Sequence, residues 1–239
     1  MSFKYIFFDC METLVDLHVL PGSREYASWA FDGSGCEELW EDFDTFHRYY
    51  ILSKHELASQ LPEHADYEMK LRFLHILKLS QPDIGYDRME AAADCLRTNY
   101  WKNYKSVCYL KQDVKAVLPR LGRLFKLGVV SNFMVKDGIQ ELLELTDISK
   151  HFEFVVVSVD EGIRKPHPAI YGKALQLAGV KPEEVIFVGD DYINDYVKPA
   201  ELGMYTICLD RYEKHAELER RVRDFNELEE LIGRIDGRF

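Results

Sequence analysis

Basic residues are scarce in this sequence, and this scarcity argues against whole classes of binding protein. The 239 residues carry 30 Lys and Arg against 41 Asp and Glu, so the formal net charge is −11. Proteins that bind nucleic acid or anionic membranes through charge normally present a basic surface. We therefore expect neither kind of partner. A small anionic substrate stays compatible with this balance, because a few lysines and backbone N–H groups can bind it locally.

Cysteine and long apolar runs are also scarce. There are five cysteines, none in a C-x-x-C pair, and an odd number at wide spacing favours a reduced protein over a disulfide framework. No apolar run approaches the length of about 18 residues that predicts a membrane span. The first residues lack the pattern of a secretory signal. The sequence therefore favours a cytoplasmic location.

Short apolar runs alternate with helical patterns in most of the chain. Such alternation predicts βαβ units and a parallel sheet, with functional residues at the carboxyl ends of the strands. We expect Asp113 to be a helix N-cap and Gly179 to end a later helix. The predicted strands are KYIFF at 4–8, FKLGVV at 125–130, FEFVVV at 152–157, EVIFVG at 184–189 and MYTICL at 204–209.

Residues 16–106 break this alternation, because they contain helical patterns and no convincing strand. We therefore predict an α/β core domain at 1–15 and 107–239, and a helical domain at 16–106. The charged segment from Arg211 to Ile235 predicts a solvated surface helix. We expect the large aromatic side chains of the insert to form its core: Trp29, Trp40, Tyr49, Tyr50 and Trp101.

The first two candidate motifs each end a predicted strand. Asp9 directly follows KYIFF and is followed by Thr13, and Ser131 and Asn132 directly follow a second apolar run. A hydroxyl group beside backbone N–H groups can satisfy the oxygens of a phosphoryl group. Each motif alone is equally compatible with a simple turn.

The other two motifs lie in the second half of the chain. Lys165 stands in Arg-Lys-Pro-His-Pro, where the prolines fix the chain before a helix. Asp190 and Asp195 belong to the string GDDYINDY, which follows the strand EVIFVG. Paired carboxylates at a strand end suit Mg²⁺, which prefers hard oxygen ligands.

In order and spacing, these four motifs resemble those of the haloacid dehalogenase (HAD) superfamily. The stretch from Lys165 to Gly203 resembles the family almost continuously. The resemblance implies a Rossmann-like parallel-sheet core with an all-helical cap domain, Mg²⁺ as cofactor and a small phosphorylated metabolite as substrate. The roles it implies are nucleophile for Asp9, catalytic for Thr13 and Lys165, and substrate binding for Ser131, Asn132 and Lys165. The implied metal-site residues are Asp9, Asp190, the backbone carbonyl of Met11 and, in the outer layer, Asp195.

One position departs from the family pattern. Phosphatases of the family carry a second Asp, the general acid and base, two residues after the nucleophile, where this chain has Met11. A thioether cannot transfer a proton, and the loss of such a group typically slows catalysis by about 10²–10⁴-fold. We expect the side chain of the neighbouring Glu12 to point elsewhere on the loop.

Three functions follow from this departure. The first, which we favour, is a phosphatase that is slow, acts on good leaving groups or takes an acid from the helical insert. The second is a metal-free hydrolase of the dehalogenase type that attacks carbon, although Asp190 close to Asp9 would then lack a compensating cation. The third is a binding or regulatory protein with weakened catalysis. The substrate and the oligomeric state stay open.

Overall fold

The computed structural model describes residues 3–237. Contacts between Cα atoms divide the chain into two compact units. We call them the core unit (Met1–Asp16 and Tyr109–Phe239) and the helical unit (Leu17–Cys108). No helix within the described residues has both the length and the apolar character needed to cross a membrane.

The core unit contains a six-stranded sheet in which all neighbouring strands are parallel, which confirms the predicted fold class. In spatial order its strands are β5 (Phe152–Val157), β4 (Lys126–Ser131), β1 (Tyr5–Phe8), β6 (Val185–Gly189), β7 (Tyr205–Leu209) and β8 (Arg221–Val222). Two further strands pair with each other where the chain passes between the units: β2 (Val15–Leu17) and β3 (Cys108–Leu110).

The central position of β1 determines where the functional residues lie. All four of its residues are buried, as expected for a strand covered on both faces. Phe8, its last residue, is in register with Val129 of β4 and Val188 of β6. The carboxyl ends of these three strands therefore meet at one edge of the sheet, and the residues that follow them are neighbours.

The helices of the core unit connect these strands. Gly179 ends α8 in a left-handed conformation with φ 64°, as expected. The helices are α5 (Gln112–Leu124), α6 (Gly138–Leu145), α7 (Ser158–Glu161), α8 (Pro168–Ala178), α9 (Lys198–Glu201) and α10 (Phe225–Asp236), with 3₁₀ turns at Ser149–His151 and Pro182–Glu184 and a π-helical turn at Tyr192–Val197.

The predicted N-cap role of Asp113 is wrong. Helix α5 begins at Gln112 and its N-cap is Lys111, so Asp113 lies inside the first turn. Its carboxylate instead accepts hydrogen bonds from the Phe225 backbone N–H at 3.0 Å and from Arg211 at 3.1 Å. These long-range partners cannot be inferred from the local sequence.

The predicted long surface helix at the C-terminus is also wrong. The Asp210 carboxylate accepts the backbone N–H groups of Lys214 and His215, which folds the segment after β7 into a turn. Helix α10 begins only at Phe225. Its side chains Phe225, Leu228 and Ile232 are fully buried, and their spacing places them on one face of the helix.

The helical unit consists of four α-helices and a 3₁₀ turn. Helix α1 packs on α2 and α4, while α3 packs on α2 and α4. Among the expected core aromatics Trp40, Tyr50 and Trp101 are buried, whereas Trp29 and Tyr49 are partly exposed. Strand β2 extends to Leu17, into a stretch expected to lack strands. The helical elements are α1 (Ser23–Phe31), the 3₁₀ turn Glu37–Leu39, α2 (Phe43–Gln60), α3 (Met69–Ser80) and α4 (Tyr86–Ser106).

Candidate active site

The loop after β1 places Asp9 at the edge of the sheet. The Asp9 backbone N–H donates to the Val188 carbonyl, which ties the loop to β6. The carbonyl of Cys10 accepts hydrogen bonds from the backbone N–H groups of Leu14 and Val15. Glu12, at the tip of this turn, has a positive φ of 62°. A non-glycine residue in this conformation is uncommon and stores strain, which concentrates at functional sites.

Lys165 lies between two carboxylates. Its Nζ is 2.7 Å from Asp9 Oδ1 and 2.7 Å from Asp195 Oδ1, and the Lys165 side chain is almost completely buried. The side chain of Asn132 holds the Lys165 backbone from both sides. Its Nδ2 donates to the Lys165 carbonyl at 3.0 Å, and its Oδ1 accepts the Lys165 N–H at 2.7 Å. Asn132 thereby holds the Lys165 backbone, from which the side chain extends to the two carboxylates.

Three carboxylates converge at this point. One oxygen each of Asp9, Asp190 and Asp195 lies within 4.8 Å of the others, an arrangement that can hold a metal ion. The hydroxyl of Thr13 donates to Asp190 Oδ1 at 3.3 Å, and Thr13 is buried. The structure therefore brings together the side chains from the first, third and fourth sequence motifs.

Close packing after β6 places Asp195 in the cluster. A Cβ atom on Gly189 would lie 2.3 Å from Asp195 Oδ2, so only glycine leaves room for this carboxylate. Asp191 caps the π-helical turn, because its Oδ1 accepts the N–H groups of Ile193 and Asn194. The Asp191 N–H in turn donates to Asp195 Oδ2 at 3.2 Å. π-Helical turns are rare and often occur at functional sites.

The electrostatics of the cluster favour a divalent cation. Burial raises the pKa of Asp190 to about 8, and the negative charges of Asp9 and Asp195 add to this effect. Burial also raises the pKa of Asp195, although Lys165 opposes the shift. When all three carboxylates are ionised, the single ammonium leaves a deficit of two positive charges. Mg²⁺ carries two positive charges and prefers hard oxygen ligands, so it fits this cluster.

For two predicted site residues, Ser131 and Met11, the structure shows mainly where the backbone lies. Ser131 is the last residue of β4 and is buried, so it ends at the same sheet edge as Asp9. Met11 lies in the turn after Asp9 and pairs with Val15 through the backbone. Its side chain brings no acidic or basic group to the site.

Sequence reasoning missed part of the surroundings. The direction of the Glu12 side chain stays a prediction, but Glu12 itself lies beside Asp190. Glu12 lines a cavity of about 20 Å³ together with Asp190, and its pKa is raised by burial and by the charges of Asp16 and Asp9. Arg211 and Lys214, which follow β7, line the same cavity. Their position directly after a parallel strand was the available signal.

Comparison with known proteins agrees with this geometry. The family model of haloacid dehalogenase-like hydrolases matches residues 3–196. Glyceraldehyde 3-phosphate phosphatase of Pyrococcus furiosus is 31% identical over 227 residues, which cover 93% of this chain and 86% of that protein. Haloacid dehalogenase-like hydrolase domain-containing protein 3 of Xenopus laevis is 41% identical over 84 residues, 35% of this chain and 34% of that protein.

Solved structures show the same fold. A 2-haloacid dehalogenase from Pseudomonas syringae superposes with a TM-score of 0.76 at 23% identity, covering 98% of this chain and 100% of that chain. A HAD phosphatase from Thermococcus onnurineus superposes with a TM-score of 0.66 at 19% identity, covering 96% and 98%. The family match extends over most of the sequence and includes all four motifs. This chain therefore belongs to the haloacid dehalogenase-like hydrolases.

Proposed function

We propose that this hydrolase cleaves small phosphate monoesters with Asp9 as nucleophile and Mg²⁺ as cofactor. The observation that carries the proposal is the convergence of Asp9, Asp190 and Asp195 around the ammonium of Lys165. Two archaeal relatives named glyceraldehyde 3-phosphate phosphatase also support a phosphorylated substrate.

The residues present fit the cofactor. Asp9, Asp190 and the Met11 carbonyl would hold Mg²⁺, and Asp195 would orient the site from its outer layer. When bound, the ion supplies positive charge that balances the carboxylates and the phosphoryl oxygens.

The chemistry of the chain itself centres on Asp9. A carboxylate oxygen of Asp9 attacks phosphorus, the bond from phosphorus to the leaving oxygen breaks, and an aspartyl-phosphate forms. Lys165 and Ser131 stabilise the negative charge of the phosphoryl group, while Asn132 keeps Lys165 in place. Thr13 fixes the Asp190 carboxylate. Water then attacks phosphorus, which releases phosphate and regenerates Asp9.

The leaving oxygen needs a proton unless it is a stable anion. In the absence of an acid at Met11, esters with acidic leaving groups react fastest. We further propose that residues 16–106 act as the cap domain of the family, whose role is to exclude water and select the substrate.

The central test is hydrolysis of p-nitrophenyl phosphate and of glyceraldehyde 3-phosphate by the full chain. We expect phosphate release that requires Mg²⁺, stops in EDTA and is lost in Asp9→Asn. The control Asp147→Asn makes the same chemical change at an exposed position and keeps full activity. Turnover that persists in Asp9→Asn would contradict the assigned nucleophile.

A second test concerns the missing acid. Met11→Asp restores a proton donor, so we expect faster hydrolysis of alkyl phosphates and a smaller gain for aryl phosphates. Met11→Leu, which adds no acid, is the matched control and leaves this preference unchanged. Metal-free release of chloride from 2-chloropropionate would instead support the dehalogenase-type alternative. Ligand binding without any turnover would support the regulatory one.

A further inference from the structure

Arg72 is a buried cation in the helical unit without an acidic partner. It lies on α3 with 7% of its surface exposed. Its Nε donates to the Ser53 hydroxyl at 3.3 Å, and its Nη2 donates to the Tyr50 carbonyl at 2.6 Å. The guanidinium carbon lies 3.7 Å from the centroid of the Tyr50 ring. Among residues 3–237 Arg72 forms no ion pair.

These contacts occupy only part of the hydrogen-bonding capacity of the guanidinium. It carries five N–H donors in a planar fork, and Ser53 and Tyr50 accept only two of them. The aromatic face offsets part of the charge. A buried charge without a counter-ion is nevertheless unfavourable, which is why buried arginines are normally paired with carboxylates or phosphates.

Three acids of the neighbouring helices pair with α3 residues other than Arg72, and Asp66, the buried acid before α3, forms no ion pair among the described residues. Glu56 pairs with His75 at 2.9 Å, and Glu90 and Asp94 both pair with Lys70. None of these carboxylates contributes an ion pair to Arg72. The ion pairs of this part of the helical unit are therefore formed without Arg72.

The side chains that contact Arg72 carry no charge. Ser53 and Tyr50 contact it directly. Burial raises the pKa of the Tyr100 phenol, and the charge of Arg72 acts on it in the opposite direction, so the guanidinium lies within electrostatic reach of that hydroxyl. A fixed guanidinium with N–H groups that Ser53 and Tyr50 leave unshared is a donor set that recognises an oxyanion.

We propose that Arg72 is the centre of an anion-binding site in the helical unit, and that its ligand is the carboxylate or phosphoryl group of a small metabolite. Stacking on Tyr50 and the hydrogen bond to Ser53 hold the fork in place, so that binding requires little further ordering. The site shares no residue with the carboxylate cluster of the core unit. The proposed anion site can therefore be tested independently of the proposed phosphatase activity.

The test is titration of the full chain with succinate and, separately, with inorganic phosphate, in EDTA and at constant ionic strength. The readouts are the ¹H–¹⁵N resonance of Arg72 Nε, assigned by its loss in Arg72→Lys, and the melting temperature. We expect a saturable shift of this resonance and a rise in melting temperature. A response to succinate alone assigns a carboxylate ligand, and a response to phosphate alone assigns a phosphoryl ligand.

Two variants separate the site from general charge effects. Arg72→Lys keeps the charge but loses the fork, so we expect the dissociation constant to rise about tenfold or more, the loss of one charge-assisted hydrogen bond. Lys78→Met removes a charge from the exposed face of the same helix and leaves binding unchanged. Asp9→Asn also leaves the Arg72 shift unchanged, even if it abolishes hydrolysis.

Several results would overturn the proposal. One is an Arg72 resonance that neither probe moves, together with a thermal response that Arg72→Lys retains. Another concerns Asp66, a buried acid of the helical unit whose Oδ2 has no hydrogen-bond partner. If either anion binds only in Asp66→Asn, Asp66 is the internal counter-ion of Arg72 in solution, and no external ligand is needed.

Discussion

The two units of this protein bury a cation in opposite ways. In the core unit Lys165 lies between two carboxylates at 2.7 Å each, with a third carboxylate close by. In the helical unit Arg72 lies on an aromatic face and donates to a carbonyl and a hydroxyl. The core therefore has an excess of negative charge and suits a further cation, whereas the helical unit has an uncompensated positive charge and suits an anion.

The largest expected effect follows from removing the paired cation. Lys165→Met leaves Asp9 and Asp195 buried without their ammonium, and breaking a buried ion pair from one side typically costs about 3–5 kcal/mol. We expect a loss of this size in the free energy of unfolding, measured by urea denaturation in EDTA at pH 7. Lys173→Met, which removes a partly exposed ammonium that pairs with Glu161, changes it by less than about 1 kcal/mol. A small effect of Lys165→Met would mean that the carboxylates relax without their partner.

The next effect concerns the excess of carboxylates in the core unit, which makes the stability of the protein depend on pH through Asp190. The pKa of Asp190 is raised from 3.8 to about 8 in the folded protein, chiefly by burial and then by Asp9. The folded state then holds a proton that the unfolded state releases, so the stability present below pH 3.8 is lost as the pH rises towards 8. We expect this decline in EDTA and its reversal by Mg²⁺ at pH 8. Asp190→Asn flattens it, and an equal slope in that variant would contradict the assignment.

A smaller effect concerns the close packing of Asp195 against Gly189 in the core unit. Gly189→Ala places a Cβ 2.3 Å from Asp195 Oδ2, and overpacking of this kind costs about 1–3 kcal/mol. Displacing Asp195 also disturbs Lys165, so we expect kcat to fall by up to about 10²-fold. Gly172→Ala in α8 meets no atom within 4 Å. It should stabilise the protein by about 0.5–1 kcal/mol through helix propensity. Equal melting temperatures of the two variants would refute this account.

The sequence predicted the core site better than its surroundings, for a physical reason. Asp9 and Asp190 directly follow buried runs, and parallel strands bring such positions to one edge. The contact of Asn132 with the Lys165 backbone depends on a fold-level approach of two loops, so the sequence did not predict it. The substrate-binding role that the family resemblance implies for Asn132 stays a prediction. The positive φ of Glu12 could not be predicted either, because a non-glycine residue rarely adopts this conformation.

Arg72 was missed although a signal existed. Met69, Phe73 and Ile76 mark the buried face of α3, and position 72 lies on that face by helical spacing. An arginine among apolar positions of an amphipathic helix indicates a buried charge. Its partners could not be predicted, because they come from α2 through tertiary packing.

The smallest effect expected among these substitutions contrasts the two cations directly. Arg72→Met removes two hydrogen bonds but leaves no carboxylate behind, and Met fills much of the same volume. The Ser53 hydroxyl already donates to the Tyr50 carbonyl at 2.9 Å, so both groups keep a partner. We therefore expect a loss of no more than about 1 kcal/mol, since replacing a buried charge by an apolar side chain is often neutral. The measurement is urea denaturation in EDTA, with Lys78→Met as control.

If Arg72→Met lowered the free energy of unfolding as much as Lys165→Met does, the contrast between the two buried cations would be contradicted. One source of such a loss is an acid left unpaired, and Asp66 is the buried acid of the helical unit with an unpartnered oxygen. The double variant Arg72→Met with Asp66→Asn then distinguishes the two cases. If Asp66 pairs with Arg72 in solution, the second substitution recovers most of the lost stability. If Arg72 is uncompensated, the two effects add, because side chains that do not interact and share no partners contribute independently.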